Sequence, residues 1–175
     1  IYRNTTQAEG QIAFTPAVTF PQKSTADLTW GDVDRDGDLD LAVAGESTLQ
    51  LFENVNGTIE TTPILDENVG QPTALEWGDF NGDGFPDLAV GQGEYYYNSI
   101  YRNRNGQLQT NVNAIWQSSN RGNTFDLAWG DVDNDGDLDL AVGDENKGTR
   151  LYLNDGGDLQ HAPPAASAIT KSRRF

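Results

Sequence analysis

The sequence predicts an all-β chain, a β-propeller segment made of four-stranded blades, on three observations. Short apolar runs end at or near glycine, an acidic nine-residue string stands before each run, and the whole pattern recurs about every fifty residues. The runs are Leu41-Ala42-Val43, Leu88-Ala89-Val90 and Leu140-Ala141-Val142. They are short for helices and suit strands buried on both faces. Leu28-Thr29-Trp30-Gly31, Leu75-Glu76-Trp77-Gly78 and Leu127-Ala128-Trp129-Gly130 precede the strings. Leu and Trp two residues apart share one face of a strand, so each acidic string reads as the turn of a β-hairpin.

A second marker recurs in step: Ile1-Tyr2-Arg3-Asn4, Leu51-Phe52-Glu53-Asn54, Ile100-Tyr101-Arg102-Asn103 and Leu151-Tyr152-Leu153-Asn154. A Gly-led stretch follows each: Gly10-Gln11-Ile12, Gly57-Thr58-Ile59, Gly106-Gln107-Leu108 and Gly157-Asp158-Leu159. The unit reads strand, acidic turn, strand, turn, strand, Gly turn, outer strand. Four short strands in about 40–50 residues is the period of a propeller blade. A flat sheet of so many strands would expose edges, whereas radial blades bury both faces of their inner strands. The expected organisation is one propeller segment over residues 1–175, with units at about 12–60, 61–110 and 111–159. Residues 1–14 read as the end of a preceding blade and 160–175 as the start of a following one, about three and a half blades in all. The stretch wanting at the end includes an innermost strand, so the two ends cannot complete a fourth blade together. The expectation is a longer parent, or two half-rings that associate.

The acidic strings carry the chemistry. They are Asp32-Val33-Asp34-Arg35-Asp36-Gly37-Asp38-Leu39-Asp40, Asp79-Phe80-Asn81-Gly82-Asp83-Gly84-Phe85-Pro86-Asp87 and Asp131-Val132-Asp133-Asn134-Asp135-Gly136-Asp137-Leu138-Asp139. Hard oxygen ligands stand at positions 1, 3, 5 and 9, and glycine stands at position 6. Alternate carboxylate and amide oxygens can turn inward around one Ca²⁺, which takes about 6–8 oxygens in flexible geometry. The glycine allows the sharp turn that brings in the carbonyl of position 7: Asp38, Phe85 or Asp137. An EF-hand would close with a bidentate Glu at position 12 between helices. Here position 12 is Val43, Val90 or Val142, and Asp at position 9 closes the ring. Three Ca²⁺ are therefore expected, one per loop, the second weakest because Asn81 replaces a carboxylate.

Composition agrees. The 175 residues carry 27 acidic and 11 basic side chains, a formal charge of −16, and eleven of the acidic residues are loop ligands. Such a surface argues against nucleic acid or an anionic membrane as partner. Aromatic content of 10% argues against disorder. There is no cysteine, hence no disulfide and no thiolate zinc site. Calcium is then the expected staple, and it works best where it is millimolar, in an extracellular or cell-surface setting. No signal peptide or apolar run of spanning length is present, so no direct membrane insertion is expected. The absence of Met suggests an internal or processed segment.

Other features weigh less. Tyr95-Tyr96-Tyr97 could offer a stacking platform for sugars, though alternate tyrosines packing between blades is the plainer reading. Trp30, Trp77 and Trp129 recur with the repeat and read as core; Trp116 lies outside that pattern. His161 is the single histidine, with no activated nucleophile near it in sequence. The carboxylate pairs would suit a glycosidase only in an open cleft, not in a saturated metal shell. Asn4-Thr5-Thr6 and Asn56-Gly57-Thr58 match the N-glycosylation pattern, which is common by chance. Lys171-Ser172-Arg173-Arg174 is too short for a nucleic-acid arm.

Trp30-Gly31-Asp32-Val33-Asp34-Arg35-Asp36-Gly37-Asp38-Leu39-Asp40-Leu41-Ala42-Val43 resembles the FG-GAP/VCBS-type repeat of bacterial surface proteins and, in related form, of the integrin α-subunit propeller. The resemblance spans nearly the whole chain. It implies a propeller, usually seven-bladed, with Ca²⁺ in the hairpin joining the first two strands of a blade. The Phe-Gly and Gly-Ala-Pro pieces of the integrin version are absent, so the bacterial branch is the closer match. The implied role is a non-catalytic scaffold and interaction module for a protein or glycan ligand, its ring completed by further blades or a second copy. Related propellers also occur in polysaccharide-active enzymes, and a carbohydrate-binding lectin is a third reading.

Overall fold

A computed structural model describes residues 1–4, 14–20, 24–110 and 114–161, and everything described is strand, turn or loop. The strands are β1 (Tyr2–Asn4), β2 (Phe14–Pro16), β3 (Asp27–Gly31), β4 (Asp40–Ala44), β5 (Thr48–Phe52), β6 (Asn54–Val55), β7 (Thr58–Ile59), β8 (Leu65–Asn68) and β9 (Pro72–Gly78). They continue with β10 (Asp87–Gln92), β11 (Tyr97–Tyr101), β12 (Asn103–Arg104), β13 (Gln107–Leu108), β14 (Trp116–Arg121), β15 (Thr124–Gly130), β16 (Asp139–Asp144), β17 (Gly148–Asn154) and β18 (Leu159–His161). Three four-stranded antiparallel meanders result, in the orders β3-β4-β5-β8, β9-β10-β11-β14 and β15-β16-β17-β18. β9 lies against both β3 and β15, so the first strands of successive sheets are neighbours. That arrangement is consistent with a β-propeller. Among the described residues no helix is long and apolar enough to cross a membrane.

The apolar triplets pack by alternation. Leu88 and Val90 point into the core shared with the first sheet, beside Ala42, Ala44, Leu49 and Leu51. Ala89 points the other way, into the core shared with the third sheet, beside Leu127, Leu140, Val142 and Tyr152. The Leu/Val face of each second strand thus meets the Ala face of the sheet before it, large against small. Leu41 and Val43 have no such sheet among the described residues; Phe52, Phe20 and Ile59 cover them instead.

The tryptophans follow the same direction. Trp77 lies on Gly31, and Trp129 lies on Gly78: a Cβ on either glycine would stand 2.7 or 2.6 Å from the Cδ1 of the indole. Both rings are half-buried between sheets. Trp30, expected as core, is 41% exposed with Leu28 at 52%, because no described sheet precedes the first. At the other end nothing among the described residues lies within 4 Å of the Cβ direction of Gly130. Trp116 acquires a place: it opens the outer strand β14, stacks edge-on against Tyr152 at 5.0 Å and donates its Nε1–H to the Leu159 carbonyl.

The outer strand departs from expectation in two sheets. The Gly turns were expected to lead directly into it. In the first two sheets they close small hairpins, β6–β7 and β12–β13, around Asn56-Gly57 and Asn105-Gly106. All four of these residues have positive φ, the requirement of a two-residue type I′ turn. The return arm is then interrupted before it pairs with the third strand again as β8 or β14. In the first sheet the interruption holds Pro63, which has no N–H for the ladder. In the third sheet β18 runs on from the turn without a break. The sheets accordingly span 27–68, 72–121 and 124–161. The N-terminal stretch contributes the ribbon β1–β2. Most of the expected following unit, including Lys171–Arg174, and the Thr5-Thr6 part of the first glycosylation match lie outside the described residues.

Candidate metal centre

All three acidic strings are the turns between the first and second strands of a sheet, and their backbones agree. Position 4 is left-handed in each, with φ of 67°, 70° and 60° at Arg35, Gly82 and Asn134. Position 6 is likewise, with φ of 95°, 89° and 98° at Gly37, Gly84 and Gly136. The position 1 carboxylate turns inward and accepts from the position 6 amide: Asp32 from Gly37 (3.2 Å), Asp79 from Gly84 (2.8 Å) and Asp131 from Gly136 (3.0 Å). Position 5 accepts from the amide of position 7: Asp36 from Asp38 (2.8 Å), Asp83 from Phe85 (3.0 Å) and Asp135 from Asp137 (3.0 Å).

Position 9 is tied into the backbone. Asp40, Asp87 and Asp139 are 3%, 0% and 1% exposed. One oxygen of each accepts the backbone N–H of the Asn that ends the second marker, from Asn54 (2.9 Å), Asn103 (2.8 Å) or Asn154 (2.8 Å). In loops one and three the other oxygen accepts from position 2, Val33 (3.1 Å) or Val132 (2.8 Å). Burial, with smaller help from Asp34 and Asp36, raises the Asp40 carboxyl above its ordinary range against the hydrogen bonds that lower it. Burial likewise pushes Asp87 up to about 6. Position 7 also does more than expected, since the Asp38 and Asp137 side chains accept from the Asn56 and Gly156 amides at 2.7 and 2.8 Å.

The marker asparagines were not recognised as site residues from sequence, although their strict recurrence was visible. Two of the amides reach the loop of the sheet before: Asn103 Nδ2 donates to the Val33 carbonyl and Asn154 Nδ2 to the Phe80 carbonyl, both at 2.8 Å, whereas Asn54 Nδ2 donates to the Leu39 carbonyl of its own loop. The hairpin of the next sheet also closes over position 3. A Cβ on Gly106, whose φ is +84°, would stand 2.8 Å from the Asp34 Cβ. Only glycine fits there.

The loops differ as cation sites. Carboxylate oxygens of Asp32, Asp34 and Asp36 lie within 4.8 Å of one another, as do those of Asp131, Asp133 and Asp139. Asp32 Oδ1 is buried without a hydrogen-bond partner, as an oxygen reserved for a cation would be. These two donor sets are all hard oxygen and fit Ca²⁺ by chemistry. In loop two no such gathering of three carboxylates occurs among the described residues. Asn81 turns its Nδ2 to Asp87 Oδ2 at 2.6 Å, and Arg102 Nη2 is paired with Asp83 Oδ2 at 2.9 Å. The set at that loop does not fit.

Away from the loops, Tyr95, Tyr96 and Tyr97 are all exposed, at 70%, 45% and 37%. Tyr96 covers Gly70, and the Arg121 guanidinium sits 4.9 Å above the Tyr97 ring. A cleft of about 440 Å³ between β8 and the β12–β13 hairpin is lined by Leu51, Glu53, Ile64, Leu65 and Glu67 among others. His161 ends β18, and its side chain lies outside what the structure describes.

Comparison with known proteins places the chain. The family model described as FG-GAP-like repeat matches residues 32–90 and 80–142, together more than half of the chain. No curated protein sequence matches. Among solved structures, a chain in the crystal structure of an active polycomb repressive complex 2 in the basal state superposes with a TM-score of 0.52 at 13% identity, over 73% of this chain and 26% of that one. A chain of the Chaetomium thermophilum polycomb repressive complex 2 gives 0.52 at 13% identity, over 74% and 27%. This chain thus spans about a quarter of those chains, and at such identity the likeness concerns the fold alone. The repeat model, matched twice and each time from one acidic hairpin turn to the next, carries the assignment: the chain belongs to the FG-GAP-like repeat family.

Proposed function

We propose that this chain is a non-catalytic, calcium-stabilised propeller segment, of the VCBS-like bacterial branch, that serves as scaffold and interaction module in an exported or cell-surface protein. The observation that carries the reading is the convergence of three carboxylates within 4.8 Å at the first and third hairpin turns, with a buried Asp32 oxygen left for a cation. Asp32, Asp34, Asp36 and Asp40 would hold one ion with the Asp38 carbonyl. Asp131, Asp133, Asp135 and Asp139 would hold the other with the Asp137 carbonyl. Bound Ca²⁺ would neutralise carboxylates that the fold has crowded together. It would fix the turn and, through the asparagine bridges, the next sheet.

The partner that completes the array is a further blade or a second copy, in a ring of about seven. The exposed Trp30 at one end and the uncovered Gly130 at the other favour this, because inside the array each tryptophan sits on such a glycine. A formal charge of −16 disfavours nucleic acid. Calorimetric titration of calcium-stripped protein tests the metal reading: binding of Ca²⁺ at the first and third loops is expected, and no heat of binding would overturn it. A second reading, carbohydrate binding for adhesion or in a polysaccharide-active parent, is favoured by the exposed Tyr95, Tyr96 and Tyr97. A glycan array with a Tyr95→Ala control decides it.

A further inference from the structure

The structure assigns to loop two a cation of its own: we infer that the Arg102 guanidinium stands where the other loops would take calcium, so that this hairpin turn is independent of metal. The inference rests on the calcium reading of loops one and three, and four observations carry it.

First, Arg102 Nη2 lies 2.9 Å from Asp83 Oδ2, the position 5 carboxylate, with the Asn81 Oδ1 at 3.5 Å. A calcium ion would need that same oxygen at about 2.4 Å, leaving a divalent and a monovalent cation on one carboxylate. Second, Asn81 presents its Nδ2 donor to Asp87. In the other loops that oxygen accepts the position 2 amide, but the Phe80 amide bonds to the Gly78 carbonyl instead. An amide nitrogen thus faces inward where a hard cation needs oxygen.

Third, a second guanidinium borders the loop. Arg35, from loop one, lies 5.2 Å over the Phe85 ring, and its Nη1 is the nearest group to the Cβ direction of Gly84, at 3.0 Å. Fourth, the residues in register with Arg102 in the first and third sheets are Glu53 and Leu153, neither of which brings a positive charge. A planar fork that stays charged at any working pH suits such a post better than lysine. The three loops keep the same backbone, and the arginine would replace part of the charge neutralisation a metal gives its neighbours.

Hydrogen exchange at single loop amides, on the whole chain, tests this. The probes are Gly84 and Phe85 in loop two, Gly37 and Asp38 in loop one, and Gly136 and Asp137 in loop three. In the unsubstituted protein, a chelator should speed exchange at loops one and three at least tenfold and leave loop two within about twofold. Arg102→Gln should speed exchange at Gly84 and Phe85 at least tenfold in chelator. Asp83→Asn, which breaks the pair from the loop side and spares the arginine stem, should do the same and serves if the first variant does not fold.

Calorimetry should count two Ca²⁺ per chain rather than three. Loop two slowing with Ca²⁺ as its neighbours do, a third calcium ion, or unchanged exchange in both variants would overturn the inference. If Ca²⁺ slows none of the loops, the calcium reading falls, while the variants in chelator still decide the role of Arg102.

Discussion

Three Trp-Gly pairs occupy equivalent places, yet substitution of their glycines should have unequal effects. In Gly78→Ala the new Cβ would stand 2.6 Å from Trp129 Cδ1 and 2.7 Å from its Nε1; in Gly31→Ala the distances to Trp77 are 2.7 and 2.8 Å. Neither glycine has positive φ, so the cost lies in space rather than backbone. The indole must move. Overpacking of this kind costs about 1–3 kcal/mol. A second route agrees: an aromatic side chain buries on the order of 200 Å², and re-exposing half of it at ~25 cal/mol per Å² gives about 2.5 kcal/mol.

Gly130→Ala meets nothing within 4 Å among the described residues and should be neutral, or stabilising by up to about 1 kcal/mol through the unfolded state. Thermal and urea melts of the three variants provide the assay, at about 2–4 °C per kcal/mol for a domain of this size. Equal losses at all three glycines would refute the stacking argument, because the third has no tryptophan to displace among the described residues. Equal indifference would refute it as well.

Removal of calcium should lower stability by about 2.7 kcal/mol per site when the free ion was near a hundred times its Kd; Asp32→Asn should abolish the part due to loop one, read as the difference between melts with Ca²⁺ and with chelator. Asn103→Ala and Asn154→Ala each strand a carbonyl of the preceding loop, Val33 or Phe80, and should cost about 1–3 kcal/mol in chemical denaturation. Asn54→Ala, whose amide reaches only the exposed Leu39 carbonyl of its own loop, should cost less. Burial first, then the charges of Asp126 and Asp27, holds the Glu76 carboxyl above its ordinary value of 4.5. The folded state therefore keeps this proton longer than the unfolded chain, so the group's penalty is present at pH 7 and disappears below about 4.5. Glu76→Gln should raise Tm at pH 7 and leave it unchanged near pH 4.

Much of this was legible because it is periodic. The apolar triplets gave the second strands, and the strict spacing of Asp and Gly gave the turns, since both depend on local geometry alone. What periodicity could not convey was direction. Trp30, Trp77 and Trp129 share one pattern, Leu two residues before and Gly-Asp after, but a ring is covered only when a sheet precedes it, so Trp30 is exposed. The outer strands were misjudged because Asn56-Gly57 and Asn105-Gly106 are hairpin signals in their own right. Arg102 was invisible for a further reason: nineteen residues separate it from Asp83, and only the β10–β11 pairing brings them together.

The position 9 aspartates show why one turn can be kept under different electrostatic conditions. A role as closing ligands alone would make the loop a creature of its metal. In the structure both oxygens of each are already engaged, in loops one and three with two backbone amides and in loop two with the Asn103 amide and the Asn81 side chain. These bonds tie the end of the turn to its own first residues and to the marker asparagine, and Asn103 and Asn154 carry the tie into the neighbouring sheet. The left-handed glycine at position 6 is held as well, its amide bonded to the position 1 carboxylate in all three loops. What remains for a cation is repulsion among the gathered carboxylates, at positions 1, 3 and 5 in loop one and 1, 3 and 9 in loop three. A divalent ion can relieve that repulsion, and so in part can replacing one carboxylate by Asn81 and pairing another with Arg102. Backbone geometry and charge compensation are separate problems in this hairpin, which lets the second vary from loop to loop while the first does not.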